Sequence, residues 1–191
     1  MSTFKYKVVY TKATTAADLM QIGALQKENL SLALTAEEIQ SQGFVTVNHT
    51  HDQLKSLNDI EKHIVAKSND DVIGYLLAMT KQSQFDIPIL VPMFEAFGTI
   101  LYENKKVSDY NYIVVGQVCI ARDYRGQGIL DKCYAAYKKY YGNSYDFAIT
   151  EIARNNLRSL KAHQRIGFKE IHSYVAPDKT EWVVVIWNWN E

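Results

Sequence analysis

This sequence has few prolines and cysteines and no surplus charge. It holds three prolines and no repeat or low-complexity tract, which excludes proline-rich linkers and repeat architectures. Its two cysteines, Cys119 and Cys133, have neither metal-site spacing nor the pattern of a disulfide framework, and are expected as free thiols in a reducing cytosol. The 21 Lys and Arg balance 21 Asp and Glu, for a formal net charge of zero. A general nucleic-acid binder needs excess positive charge to displace phosphate counterions, so nucleic acid is not an expected partner. Long apolar runs are also missing. The most apolar stretch, Ile87 to Tyr102, is broken by Pro88, Pro92 and Glu95, and the segment Met1 to Lys7 leads into no signal-peptide core. The expectation is a cytoplasmic protein with no membrane partner. What remains is ordinary globular material: 47% hydrophobic and 22% charged residues, consistent with one domain over residues 1–191.

The periodicities predict a mixed α/β sheet with helices on both faces. Lys7 to Tyr10 reads as a first strand, and Thr15 caps a helix carrying Leu19, Ile22 and Leu25. Thr35 followed by Glu38 suits a capping box for a short helix ended by Gly43, and His51 to Leu57 reads as a third helix. His63–Ala66 and Val72–Met79 form a hairpin around Ser68-Asn69-Asp70-Asp71. Val91 to Tyr102 is the expected site of a helix, followed by a polar loop over 103–109. Then come a strand (Tyr112–Ile120), a helix (Gln127–Tyr141), a strand (Tyr145–Ile152), a helix (Asn156–Ile166) and closing strands at Phe168–Tyr174 and Glu181–Trp189. A strand–helix–strand–helix centre flanked by antiparallel hairpins defines the fold class.

Arg125-Gly126-Gln127-Gly128-Ile129-Leu130, after a buried-type strand, carries the most chemistry. A glycine turn feeding a helix N-terminus leaves unpaired N–H groups that suit a phosphate or pyrophosphate. Glycine also lets a ligand approach the backbone. A Walker A loop would need Lys-Ser/Thr where Ile129-Leu130 stand, and a dinucleotide fingerprint would need Gly or Ala where Asp131 stands. Taken alone, the segment is equally a plain turn.

With Asn156-Leu157-Arg158-Ser159-Leu160-Lys161-Ala162-His163 and Gly167-Phe168 about thirty residues on, the segment resembles the paired motifs of the GCN5-related N-acetyltransferase (GNAT) superfamily: Gln/Arg-x-x-Gly-x-Gly/Ala, then Asn-x-x-Ala/Ser-x-x-x-Tyr-x-x-x-Gly-Phe. Two positions depart from it. Leu130 replaces a Gly or Ala, and His163 stands where Tyr is usual.

The resemblance implies a GNAT-like sheet with a splayed parallel strand pair, and acetyl-CoA as co-substrate without metal. Val118, Cys119 and Ile120 would pair with the pantetheine as an added strand does. The amides of Arg125, Gly126, Gln127, Gly128, Ile129 and Leu130 would hold the pyrophosphate, and Asn156 the pantetheine arm, with Ser159 on the same helical face. Arg122, Arg158 and Lys161 are candidates for the 3′-phosphate or ordinary surface charges. The implied activity is transfer of acetyl to a primary amine by direct attack in a ternary complex. The alternative is a non-catalytic acyl-CoA sensor of the same fold.

Glu151 interrupts an apolar strand, where a carboxylate must be paired, solvated or useful. It resembles the proposed base of the ribosomal-protein alanine acetyltransferases, and otherwise would pair with Arg154 or Arg165. His163, seven residues after Asn156 on the same face, reads as an imidazolium acid for the leaving thiolate or as a structural hydrogen-bonder. His49-Thr50-His51-Asp52 reads as a capped turn rather than a metal site. The acceptor, a small-molecule amine or a protein N-terminus, carries no motif, and homodimerisation is left open.

Overall fold

The computed structural model describes residues 7–85 and 90–190; Met1–Tyr6, and Ile87 and Pro88 of the apolar stretch, lie outside them. Strands β1 (Val8–Lys12), β2 (Ile64–Ser68), β3 (Asp71–Met79), β6 (Ile113–Ile120), β7 (Phe147–Ala153), β8 (Lys169–Val175) and β9 (Glu181–Asn188) form one sheet in the order β1-β2-β3-β6-β7-β9-β8. Within it only β6 and β7 run parallel. β4 (Leu101–Tyr102) and β5 (Lys105–Lys106) make a separate small hairpin. Helices α1 (Ala16–Asn29), α3 (His51–Ile60) and α4 (Val91–Phe97) cover one face, burying Leu19, Ile22, Leu54 and Phe97 against Tyr75, Val114 and Ile149. α5 (Ile129–Tyr141) packs on the other face through Cys133, Tyr134 and Tyr137 against Ile64, Leu76 and Val115. Each fully buried side chain of this size contributes about 1.5–3 kcal/mol. α2 (Ala36–Gln42) buries none of its residues, and α6 (Leu157–Ile166) buries only His163.

Local chemistry explains the element limits. Thr15, Thr35 and Thr50 each close a capping box, with Asp18, Glu38 and Gln53 respectively, which satisfies N–H groups that a helix start leaves orphaned. Thr50 thereby makes the His49–Asp52 segment the capped turn expected of it. The helix expected to run to Tyr102 stops at Phe97. Glu103 and Asn104 take positive φ (46° and 70°) and turn the chain into the β4–β5 hairpin. α5 begins two residues later than expected, because Gly128 is left-handed (φ 74°) and cannot belong to the helix.

The strand parting that shapes the site has a visible cause. β3 pairs Leu77 with Gln117 and Ala78 with Val115, so Gly116 is an extra residue in β6, a bulge. A Cβ there would run into the Met79 side chain. The bulge turns β6 away from β7, whose parallel pairing is confined to Ile113↔Ala148 and Val114↔Ile149. Beyond those rungs Thr150 Oγ1 donates to the Val115 carbonyl at 2.7 Å, and then the strands separate.

Candidate active site

Two connected cavities follow the gap between β6 and β7. The larger, about 730 Å³, lies between the end of β6, the start of α5 and the start of α6. Of the residues expected to hold a CoA, Val118, Cys119, Ile120, Arg125, Gly126, Gly128, Ile129, Leu130, Asn156 and Ser159 line it. Gln127 does not; its side chain turns back to donate to the Asp123 carbonyl at 2.8 Å. Gly126 and Gly128 both have positive φ (73° and 74°), and a Cβ at either would meet nothing within 4 Å. Backbone conformation demands glycine there, and the space before it is free for a ligand. No side chain caps α5, so its first N–H groups stay available to an anion.

Charge around this cavity is positive. Arg125, Arg158, Lys161 and Arg165 line it with one acid, Asp131, which pairs with Arg165. Arg158 and Lys161 therefore face the cavity, whereas Arg122 binds Glu38 at 2.6 Å and is not among the lining residues. Arg125 is a bracket as well as a wall: its guanidinium reaches the Ile120 carbonyl (2.9 Å), Gln42 (3.1 Å) and Asn29. Burial pushes the Cys119 thiol up to about 11, so it is no thiolate nucleophile near neutrality.

The smaller cavity, about 60 Å³, is lined by Gly116, Gln117, Thr150, Glu151, Ile152 and Trp182 among others. Its second wall is the segment after α2: Phe44, Val45 and Thr46. This strap is tied down by donors from the other elements. Asn156 Nδ2 donates to Phe44 O (3.0 Å) and Gln117 Nε2 to Val47 O (2.8 Å), while Arg158 holds the end of α2 through Ser41 O (3.1 Å). Phe44, Val45, Val118, Asn156, Ser159 and His163 belong to both cavities and form the neck between them.

Glu151 makes no ion pair with Arg154 or Arg165; Arg154 holds Glu170 and Glu181 (2.9 and 3.0 Å), and Arg165 holds Asp131. Its carboxylate accepts from Tyr174 Oη at 2.8 Å. Burial lifts its pKa to about 7 against the pull of that hydrogen bond, a value suited to a general base. The sequence held no sign of Tyr174 as partner.

His163 differs from expectation. It is 2% exposed, and burial pushes its pKa down to about 4. Nδ1 lies 2.8 Å from the Ser159 carbonyl, which only accepts, so Nδ1 carries the proton. Nε2 then accepts from Tyr134 Oη at 2.6 Å. The imidazolium expected near neutral pH is therefore replaced by a neutral ring with both nitrogens engaged. The cause is desolvation, and Tyr134, twenty-nine positions upstream in another helix, gave no sequence signal. Asn156 is likewise committed: it caps α6 by accepting from Ser159 N (3.3 Å) while donating to the strap.

The profile of the Acetyltransferase (GNAT) family matches residues 32–168, and the chain belongs to that family. Its fold is that of many solved acetyltransferase structures. One from Streptococcus agalactiae aligns with a TM-score of 0.65 at 10% identity, covering 96% of each chain. The NatC complex bound to Gag peptide and CoA gives 0.63 at 14% identity, covering 95% of this chain and 98% of that one. The ribosomal-protein-S18-alanine N-acetyltransferase of Escherichia coli gives 0.61 at 9% identity, covering 95% and 94%. No curated protein matches the sequence significantly. Family and fold together support acyl transfer from an acyl-CoA. Among the described residues no helix is long and apolar enough to cross a membrane.

Proposed function

We propose that this protein transfers an acetyl group from acetyl-CoA to a primary amine by direct attack in a ternary complex. The observation that carries the reading is Glu151: a carboxylate with a pKa near 7 in the smaller cavity, one neck away from a phosphate-ready glycine turn. The larger cavity would take the CoA, with its pyrophosphate on the amides of Arg125 to Leu130 and its pantetheine along Val118–Ile120. Pantetheine contact with Asn156 would compete with the Phe44 carbonyl.

In this reading Glu151 takes one N–H proton from the attacking amine. The new N–C bond forms at the thioester carbon, the C–S bond breaks, and the thiolate departs into the larger cavity, where water protonates it. Neutral His163 supports the neck by geometry, held by Tyr134 and Ser159, and supplies no proton.

The second reading, an acyl-CoA sensor without turnover, is favoured by one observation: both ring nitrogens of His163 are already engaged, so α6 offers no acid. Amine-dependent release of free thiol from acetyl-CoA decides between them. Calorimetric CoA binding without thiol release across a broad amine panel would reject the enzyme and leave the sensor.

A further inference from the structure

The Glu151 carboxylate is held by one of its two oxygens, and the group that holds it comes from the far edge of the sheet. Register aligns Glu151 on β7 with Val184 on β9 and His172 on β8, and Ala153 with Trp182 and Tyr174. Side chains directly opposite in a ladder share a face, as do positions two apart along a strand. Tyr174 therefore stands on the face of Glu151 but two strands away. Its side chain reaches across β9, and its Oη donates to Glu151 Oε1 at 2.8 Å. Glu151 lines the smaller cavity, whereas Tyr174 lines neither. The tyrosine acts on the chamber through the carboxylate.

With Oε1 accepting from the phenol, a proton taken up by Glu151 belongs on Oε2. The phenol stays a donor, because burial and the charges of Glu151 and Asp178 push its pKa up. Its hydrogen bond is stronger to an ionised carboxylate than to the neutral acid, so it favours the form that can accept a proton. The other groups around Glu151 give no such help. Glu170 pairs with Val185 and Glu181 with Val175, on the opposite face of the sheet, where Arg154 holds both acids. Asp178, beside Lys179 in the β8–β9 turn, accepts from Thr180 N at 2.9 Å. The negative charge of these three carboxylates resists ionisation of Glu151, as burial does. His172 is exposed at the sheet edge. On α6, His163 is neutral. On β6, Gln117 is engaged with Tyr75 and Val47, and Phe44, Val45 and Thr46 of the strap carry no titratable group.

We infer that Tyr174 is a positioning residue of this site: it holds Glu151 by one oxygen, reserves the other for the amine and favours the carboxylate over the acid. This rests on the reading of Glu151 as the base. In the first step an amine N–H proton passes to Oε2 while Oε1 stays bonded to the phenol, which neither gives nor gains a proton.

The test titrates Glu151 directly and needs no acceptor. The ¹³Cδ resonance of Glu151 in glutamate-labelled protein, assigned by its loss in Glu151→Gln, is followed with pH. Tyr174→Phe keeps the ring and removes the donor, and the Glu151 midpoint should rise by roughly one pH unit. Thiol release from acetyl-CoA, with the best amine of the panel, should then fall roughly fivefold at pH 7 and recover toward the wild type above the new midpoint. A merely structural tyrosine would lower activity equally at every pH. Asp178→Asn removes hairpin charge and leaves the hydrogen bond, so its midpoint should not rise. An unmoved or lowered midpoint in folded Tyr174→Phe, or an equal rise in Asp178→Asn, would overturn the inference and leave Glu151 as base. Undiminished thiol release in Glu151→Gln would instead remove the base, and the role of Tyr174 with it.

Discussion

The two cavities share six residues and almost nothing else. The larger is open, rimmed by cations and built from backbone: a glycine turn, a bare helix start and a strand edge. The smaller has under a tenth of that volume and gathers polar side chains, Gln117, Thr150, Asn156 and Ser159, around one carboxylate. A backbone-lined site tolerates wide sequence change because every residue has an amide; Leu130 in place of a small residue leaves the turn intact. A side-chain site has no such tolerance, so its identity rests on single residues. Donor binding and acceptor chemistry should therefore respond to different mutations, and the following variants test that separation.

The largest effect belongs to Glu151→Gln, which keeps the shape and removes proton acceptance. Turnover should fall by roughly 10²–10⁴ while CoA affinity, measured by calorimetry, stays. The wild-type rate should rise with pH through about 7 as Glu151 ionises, and that limb should vanish in the variant. The same substitution should act oppositely on stability. Because the folded pKa lies above the ordinary carboxylate value, the fold holds a proton that the unfolded chain releases, and stability falls as pH rises toward 7. Glu151→Gln removes that loss, so its melting temperature should exceed the wild type's near neutral pH; a lower one would contradict the buried setting.

Next comes Gly128→Val, which puts a branched side chain where φ is 74° and before the proposed phosphate site. Loss of charge-assisted amide contacts of about 1.5–3 kcal/mol corresponds to roughly 10–100-fold weaker CoA binding. The acidic limb set by Glu151 should not move. Unchanged affinity in the folded variant would sever the turn from the donor.

Gly116→Ala should cost about 1–3 kcal/mol through overpacking against Met79, read by denaturant unfolding. The smallest change is expected from Tyr134→Phe, which removes one hydrogen bond to neutral His163: about 1 kcal/mol of stability and little turnover. A turnover loss of tenfold or more in that variant would return His163 to proton transfer. Acid should unfold the protein through His49, His63 and His163, held at about 4, 3 and 4 by burial. Their folded values are depressed, so the unfolded chain binds more protons below pH 6.5 and stability declines steadily from there. Potentiometric proton uptake on unfolding near pH 5 should approach three from these residues.

Legibility in the sequence follows the same division. The glycine turn, the α6 motif and the strand bearing Glu151 are local signals, each readable within a dozen residues. The smaller cavity joins Phe44–Thr46, Gly116–Val118, Thr150–Ala153 and Trp182, and no short pattern links segments so far apart. The bulge at Gly116 depends on strand register, which a single strand does not encode. His163 shows the limit most sharply. Its position was evident, but its charge state depends on burial beneath Tyr134, a tertiary fact. Val91–Tyr102 was legible in part: α4 fills Val91–Phe97, and the apolar residues after Gly98 concealed the strand at Leu101–Tyr102.

The short pairing of β6 with β7 also has a mechanical side. Four strands lie on one side of that seam and three on the other, joined in the ladder by two register pairs and the Thr150 hydroxyl. That seam has the fewest register pairs of any pairing in the sheet and should be its most compliant line. Bending about it would change the width of the gap while preserving every other strand pairing, with the packed layers on both faces limiting the swing. A pantetheine arm laid along the open edge of β6 would lengthen the seam and stiffen the hinge.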